Sequence, residues 1–259
     1  SNPLFVLPGA LAERTAAIAE GFRASMTLGV GQFCTKPGII VAVEGPDLAR
    51  FRGFLTAAVR GTAPASMLGD GILAEFDHHR DQLLAVPGVR QLARCEGADP
   101  RRTQAGAIVA ETDADTFLAH GRCADEVFGP MSLLVAVRDL RQMHEVAAGL
   151  AGQLTAAVHG TEADLDEAAD LLELLAGRAG RLICNGYPTG VEVCHAMHHG
   201  GPPPATSDAR FTSVGSAALE RFVRPLCLQD LPAHLLPPAL QDGNPLGIER
   251  TVEGVRGRH

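Results

Sequence analysis

The 259-residue chain is 46 % hydrophobic and carries a formal net charge of −8, so it is long enough to bury the core of one large domain or two small ones. An acidic balance with no run of Lys and Arg excludes wholesale binding to nucleic acid or an anionic membrane, which would need clustered positive charge. No apolar run approaches the roughly 18 residues of a membrane span, and SNPLFVLPG lacks the basic start and cleavage site of a signal peptide. The expectation is a soluble, cytoplasmic protein and, with no initial Met, a fragment of a longer chain.

Leu4 to Leu7 reads as a strand ended by Pro8. Leu11, Thr15, Ile18, Phe22 and Met26 then recur at helical spacing. Ile39 to Val43, IIVAV, is a β-branched run of the kind buried on both sheet faces. Helices are predicted over 47–60 and 71–85, an apolar segment over 106–110, a short helix near 113–119 and a buried strand over 132–137. The pattern continues with a helix over 139–150, a strand over 154–158, a helix over 162–176 and a strand over 181–184. Thr161 with Asp164 three residues on is a capping-box arrangement opening the 162–176 helix. This β-α alternation predicts an α/β fold with a mostly parallel sheet covered by helices on both faces.

Beyond Asn185 the sequence becomes turn-rich, with prolines at 202–204. A short helix over 216–222 and a strand over 225–228 are expected before a proline-rich, polar tail. The expected organisation is a catalytic domain over 1–205, a return segment with an oligomerisation strand over 206–231, and a tail over 232–259.

The six cysteines, at 34, 95, 123, 184, 194 and 227, form no CxxC pair, which disfavours a zinc site or a disulfide scaffold. Cys34 stands apart because Gly29, Gly31, Gly38 and Pro37 frame it on a loop leading into a buried strand. Those glycines would let a bound substrate approach the backbone, and Lys36 could lower the thiol pKa. Read by itself, Cys34 equally suits a small residue filling a tight turn. Glu126 alone reads as a solvated acid, and Phe128 beside Gly-Pro as core. His195, His198 and His199 with Cys194 suggest a metal cluster, but the flanking glycines and prolines and a missing fourth ligand favour loop histidines lining a polar tunnel. Arg210 could meet a substrate carboxylate; a structural ion pair is the preferred reading. No GxGxxG, GxxxxGK or GxSxG pattern occurs.

The stretch GQFCTKPG, preceded by a strand and a helix, resembles the nucleophile region of the aldehyde dehydrogenases, and DEVFGP at 125–130 resembles the family's second signature. NGYPTGVEVCHAMHHGGPPPATSDARFTSVG is similar to the substrate-tunnel segment of the branch that oxidises α-ketoglutarate semialdehyde and of related fatty-aldehyde enzymes. The resemblance implies that Cys34 is the nucleophile and that Glu126 and Phe128 bind the cofactor, NAD or NADP. It also implies that Phe33 and Val191 line the substrate site, and that no metal is used. Lys36 stands where this branch commonly has asparagine. The implied partners are a small-molecule aldehyde, a further copy of the chain, and a cofactor-binding half that is absent here together with the general-base glutamate and the oxyanion asparagine. The fragment itself is then expected to be inactive. Two alternatives stay open: a CoA-acylating or other thiol acyl-transfer enzyme, and a non-catalytic oligomerisation module.

Overall fold

Continuous apolar strands bury themselves only in a sheet covered on both faces, and the computed structural model, which describes residues 1–259, shows this arrangement. A seven-stranded sheet runs in the order β4-β6-β7-β2-β1-β8-β9. Its strands are β1 (Pro3–Val6), β2 (Ile39–Val43), β4 (Arg90–Arg94), β6 (Ile108–Asp113), β7 (Met131–Val137), β8 (Gln153–His159) and β9 (Ala179–Cys184). Every pairing is parallel except that of edge strand β4 with β6. A separate two-residue ladder joins β3 (Ala65–Ser66) to β5 (Gln104–Ala105).

Helices α1 (Pro8–Thr27) and α2 (Pro46–Arg60) join Leu4, Val6, Ile40, Ala42, Val109 and Leu134 in one core. On the opposite face, α3 (Asp70–Leu84), α4 (Ala114–Ala119), α5 (Leu140–Gly149) and the α6–α7 pair cover Phe5, Ile39, Val41, Leu133 and Val135. No helix is long and apolar enough to cross a membrane.

Several expectations change. The helix predicted over 162–176 breaks at Ala168 (φ −94°, ψ 20°) into α6 (Glu162–Glu167) and α7 (Ala169–Ala176). Asp164 holds α6 in place, while Leu171 and Leu175 of α7 are buried in the core. Strand β4 escapes the sequence pattern because an edge strand tolerates charge. Its Arg90 and the Arg52 of α2 both bond Glu111, which is buried on β6.

The chain divides into two compact units, residues 1–221 and 222–259. In the second, residues 225–228 form no strand, since they find no ladder partner within this chain. The end of the tail instead forms a hairpin of β10 (Arg250–Val252) and β11 (Val255–Gly257). Its Glu253-Gly254 loop has two positive φ values, 49° and 81°, as a two-residue hairpin turn requires.

The Asp164 carboxylate accepts the N–H groups of Gly9 (2.9 Å), Ala10 (2.8 Å) and Thr161 (2.8 Å), so one side chain caps both α1 and α6. Burial works to raise its pKa, but these bonds prevail and hold it below the usual carboxylate range. A depressed folded-state pKa adds stability above the unfolded value of about 3.9 and loses it as pH falls through the folded value. Asp164→Ala is expected to cost about 2–3 kcal/mol at pH 7 in urea unfolding. The gap between variant and wild type should close toward pH 2.

Candidate active site

The amino ends of neighbouring parallel strands form one rim of the sheet, and the chain brings its reactive residues there. Cys34 leads into β2 and Glu126 into β7, and these two strands are adjacent. Asn2 leads into β1, while Gln153 opens β8. Open α/β sheets usually bind ligands beyond the carboxyl ends of their strands; this site lies at the opposite rim.

Before Cys34 the backbone makes a left-handed excursion, with φ of 56° at Gly29, 58° at Val30 and 68° at Gly31. A β-branched residue at such a φ is strained, and Val30 lies four residues before the thiol. A Cβ on Gly31 would lie 2.2 Å from the Gly129 carbonyl oxygen, and one on Gly38 would lie 2.7 Å from that of Ser1. The glycine frame thus lets protein loops pack against each other, whereas the sequence reading gave it the task of admitting ligands. Phe33 is exposed and turns its ring onto Gly29.

Asn2, itself in the left-handed region (φ 51°) and buried, fixes the loop from below. Its Nδ2 donates to the carbonyls of Cys34 (2.8 Å) and Lys36 (3.2 Å). Its Oδ1 accepts from Thr155 N–H (3.2 Å) and Oγ1 (3.0 Å). Composition and spacing gave no signal for this residue. Asn2→Ala is expected to cost about 2–4 kcal/mol, because it leaves several buried groups unpaired; chemical denaturation measures the loss.

Cys34 is exposed, and its Sγ lies 3.3 Å from His199 Nε2. The backbone of the returning loop anchors this imidazole. The His199 N–H donates to Thr212 Oγ1 (2.8 Å), and the His199 carbonyl accepts from Ser213 N–H (3.0 Å) and Oγ (2.9 Å). Burial, then the Arg181 charge and the neighbouring His198, push the His199 pKa below its ordinary value, which favours the neutral ring. Arg181 on β9 clamps the loop ahead of His199 by donating to the carbonyls of Pro188 (2.6 Å) and Gly190 (3.2 Å). Val191, half-buried, follows that clamp.

A cavity of about 590 Å³ contains Cys34, Asn2, Asp125, Glu126, Gln153, Pro204 and other residues of this rim in its walls. It unites Cys34 with Glu126; Phe33, Phe128 and Val191 lie outside its walls. Glu126 and Phe128 are exposed and the intervening Val127 is buried, so the two side chains alternate outward along this segment.

The other candidates separate. His195 Nδ1 pairs with Ser216 Oγ at 2.8 Å, and no group of three or more His, Cys, Asp or Glu converges as a metal site. Arg210 forms a two-point ion pair with Asp208, 2.6 Å at its closest, as the structural reading expects. The His199 contact with sulfur is the feature of this loop that the sequence pattern, read as tunnel lining, does not reveal.

The chain matches the structure of a mutant of aldehyde dehydrogenase C from Pseudomonas syringae, complexed with NAD+ and octanal, at a TM-score of 0.68, with 17 % identity over 86 % of this chain and 44 % of that one. The fold is that of the aldehyde dehydrogenases. In sequence the chain is 49 % identical over 253 residues to alpha-ketoglutaric semialdehyde dehydrogenase 2 of Azospirillum brasilense. It is 44 % identical over 256 residues to the alpha-ketoglutaric semialdehyde dehydrogenase of Acinetobacter baylyi. Each match covers 98 % of this chain and 48 % of the relative, so the chain spans about half the length of the curated relatives it matches. No family model matches it. The resemblance to aldehyde dehydrogenases read from GQFCTKPG and DEVFGP is thus met in sequence and in fold.

Proposed function

We propose that this chain is the catalytic half of an NAD(P)-dependent aldehyde dehydrogenase that oxidises α-ketoglutarate semialdehyde to its acid through a thioester on Cys34. The observation that carries the reading is the exposed Cys34 sulfur, which lies in the wall of a cavity shared with Glu126 and 3.3 Å from the loop-anchored His199 imidazole. The substrate follows from the curated relatives' names, and the cofactor class from resemblance and from the NAD+ in the P. syringae structure.

His199 Nε2 accepts the thiol proton as sulfur bonds to the aldehyde carbon, and the carbonyl electron pair moves to oxygen. We assign that oxyanion to the Cys34 backbone N–H and a side chain from the rest of the parent protein. The bound nicotinamide cofactor supplies a hydride acceptor. The residues here suit one end of it: the exposed Glu126 carboxylate can accept ribose hydroxyls, and the exposed Phe128 ring offers an apolar face. The chain has no glycine-rich phosphate loop, so the remainder of the cofactor falls to the other half of the parent, as does the glutamate that activates water. The substrate-lining roles of Phe33 and Val191 rest on the resemblance, since neither lies in the wall of the cavity that Cys34 and Glu126 share; residues 206–231 take the return to a partner copy.

Iodoacetamide labelling tests the reading on the chain itself. Cys34, Cys184, Cys194 and Cys227 are all exposed, so accessibility alone predicts similar rates. The proposal expects Cys34 to react at least about ten times faster than the other three. Equal rates would remove its basis.

A further inference from the structure

Lys36 is the one lysine in the chain, and it is fully buried two residues beyond the nucleophile. Its ammonium has no carboxylate within ion-pair distance. It donates to two backbone carbonyls across the rim, Val127 O (3.0 Å) and Met131 O (2.7 Å). A buried ammonium is costly unless its bonds serve the fold or the site, and these two carbonyls bracket Phe128. The bonds therefore stitch the Cys34 loop to the segment that presents Glu126 and Phe128. Neighbouring links run the same way: Ser132 Oγ donates to Pro37 O (2.5 Å), Leu133 N–H donates to Gly38 O (2.9 Å), and Gly31 packs on Gly129. Burial pulls the Lys36 pKa down to about 8, against an opposing pull from the Glu126 carboxylate, so the charged form prevails at pH 7.

We propose that Lys36 is a positioning residue that sets the Glu126–Phe128 segment in register with the Cys34 sulfur, and so governs how well the nicotinamide end of the cofactor is held. This rests on the proposed dehydrogenase reading. The Lys36 ammonium neither bonds the sulfur nor lines the cavity, so it acts through the carbonyls of residues 127 and 131.

Steady-state kinetics of the full-length enzyme, with cofactor and aldehyde varied separately, test the assignment. Lys36→Met removes the donors at similar volume. Lys36→Asn keeps a polar side chain too short to span to both carbonyls, and it serves if the Met variant does not fold. In either folded variant the cofactor KM should rise about ten-fold, with kcat changed less than about three-fold and the aldehyde KM within about two-fold. Lys36→Arg keeps charge and donors and should stay within about three-fold of wild type. A cofactor KM within about two-fold of wild type in the folded variant, or a parallel loss in every parameter, would overturn the assignment and leave Lys36 a structural brace. If Cys34→Ala left turnover intact, the dehydrogenase reading itself would fail, and that result is distinguishable from the first.

Discussion

Replacing Cys34 with alanine in the full-length enzyme is expected to lower aldehyde oxidation by at least about a thousand-fold, because the cavity wall holds no other cysteine on which the proposed thioester could form. The same change should leave stability within about 0.5 kcal/mol. The side chain is exposed, and its contact with the His199 ring is its one side-chain hydrogen bond. Activity measured beside a thermal melt separates the two effects: collapse of both together would point to a structural cysteine. Cys95 offers the contrast. It is buried against the Thr62 carbonyl, and burial pushes its thiol pKa up, so Cys95→Ala should cost stability.

The second large effect belongs to His199. Asn in its place removes the ring nitrogen near sulfur but keeps the backbone bonds to Thr212 and Ser213 that hold the loop. His199→Asn should lower kcat by about a hundred-fold, the usual scale for losing a general base, with little change in melting temperature. The pH profile carries the sign. Burial, the Arg181 charge and the neighbouring His198 depress the imidazole pKa, so the ring stays unprotonated to a lower pH than a free histidine. The acid limb of the wild-type rate should fall below about pH 6.5, and it should be absent in His199→Asn. An unchanged limb would assign that titration to another group.

The sheet was legible because its strands are long and apolar: IIVAV and the 131–137 run admit burial on both faces and little else. Cys34 and Glu126 were legible as motifs, and their meeting follows from the fold, since each leads into one of two adjacent parallel strands. What escaped detection depends on distant partners. Asn2 matters through bonds to residues 34, 36 and 155, and a lone Asn near a strand gives no local sign of this. His199 reaches sulfur across 165 residues of sequence, whereas the pattern around it suggested only turns. Lys36 read as a local charge near the thiol; burial turned it instead toward the carbonyls of 127 and 131. In the tail, the hairpin turn at Glu253-Gly254 lacks the Asn or Asp that usually marks such a turn, and the run around it is largely polar, so nothing in the sequence pointed to it.

The covalent step is open to direct weighing. Full-length enzyme mixed with aldehyde and nicotinamide cofactor, quenched in acid during turnover and measured as intact protein and as peptides, should gain the mass of one acyl group on the peptide containing Cys34. Sustained turnover with that peptide unmodified, or with the acyl group on another side chain, would contradict the account.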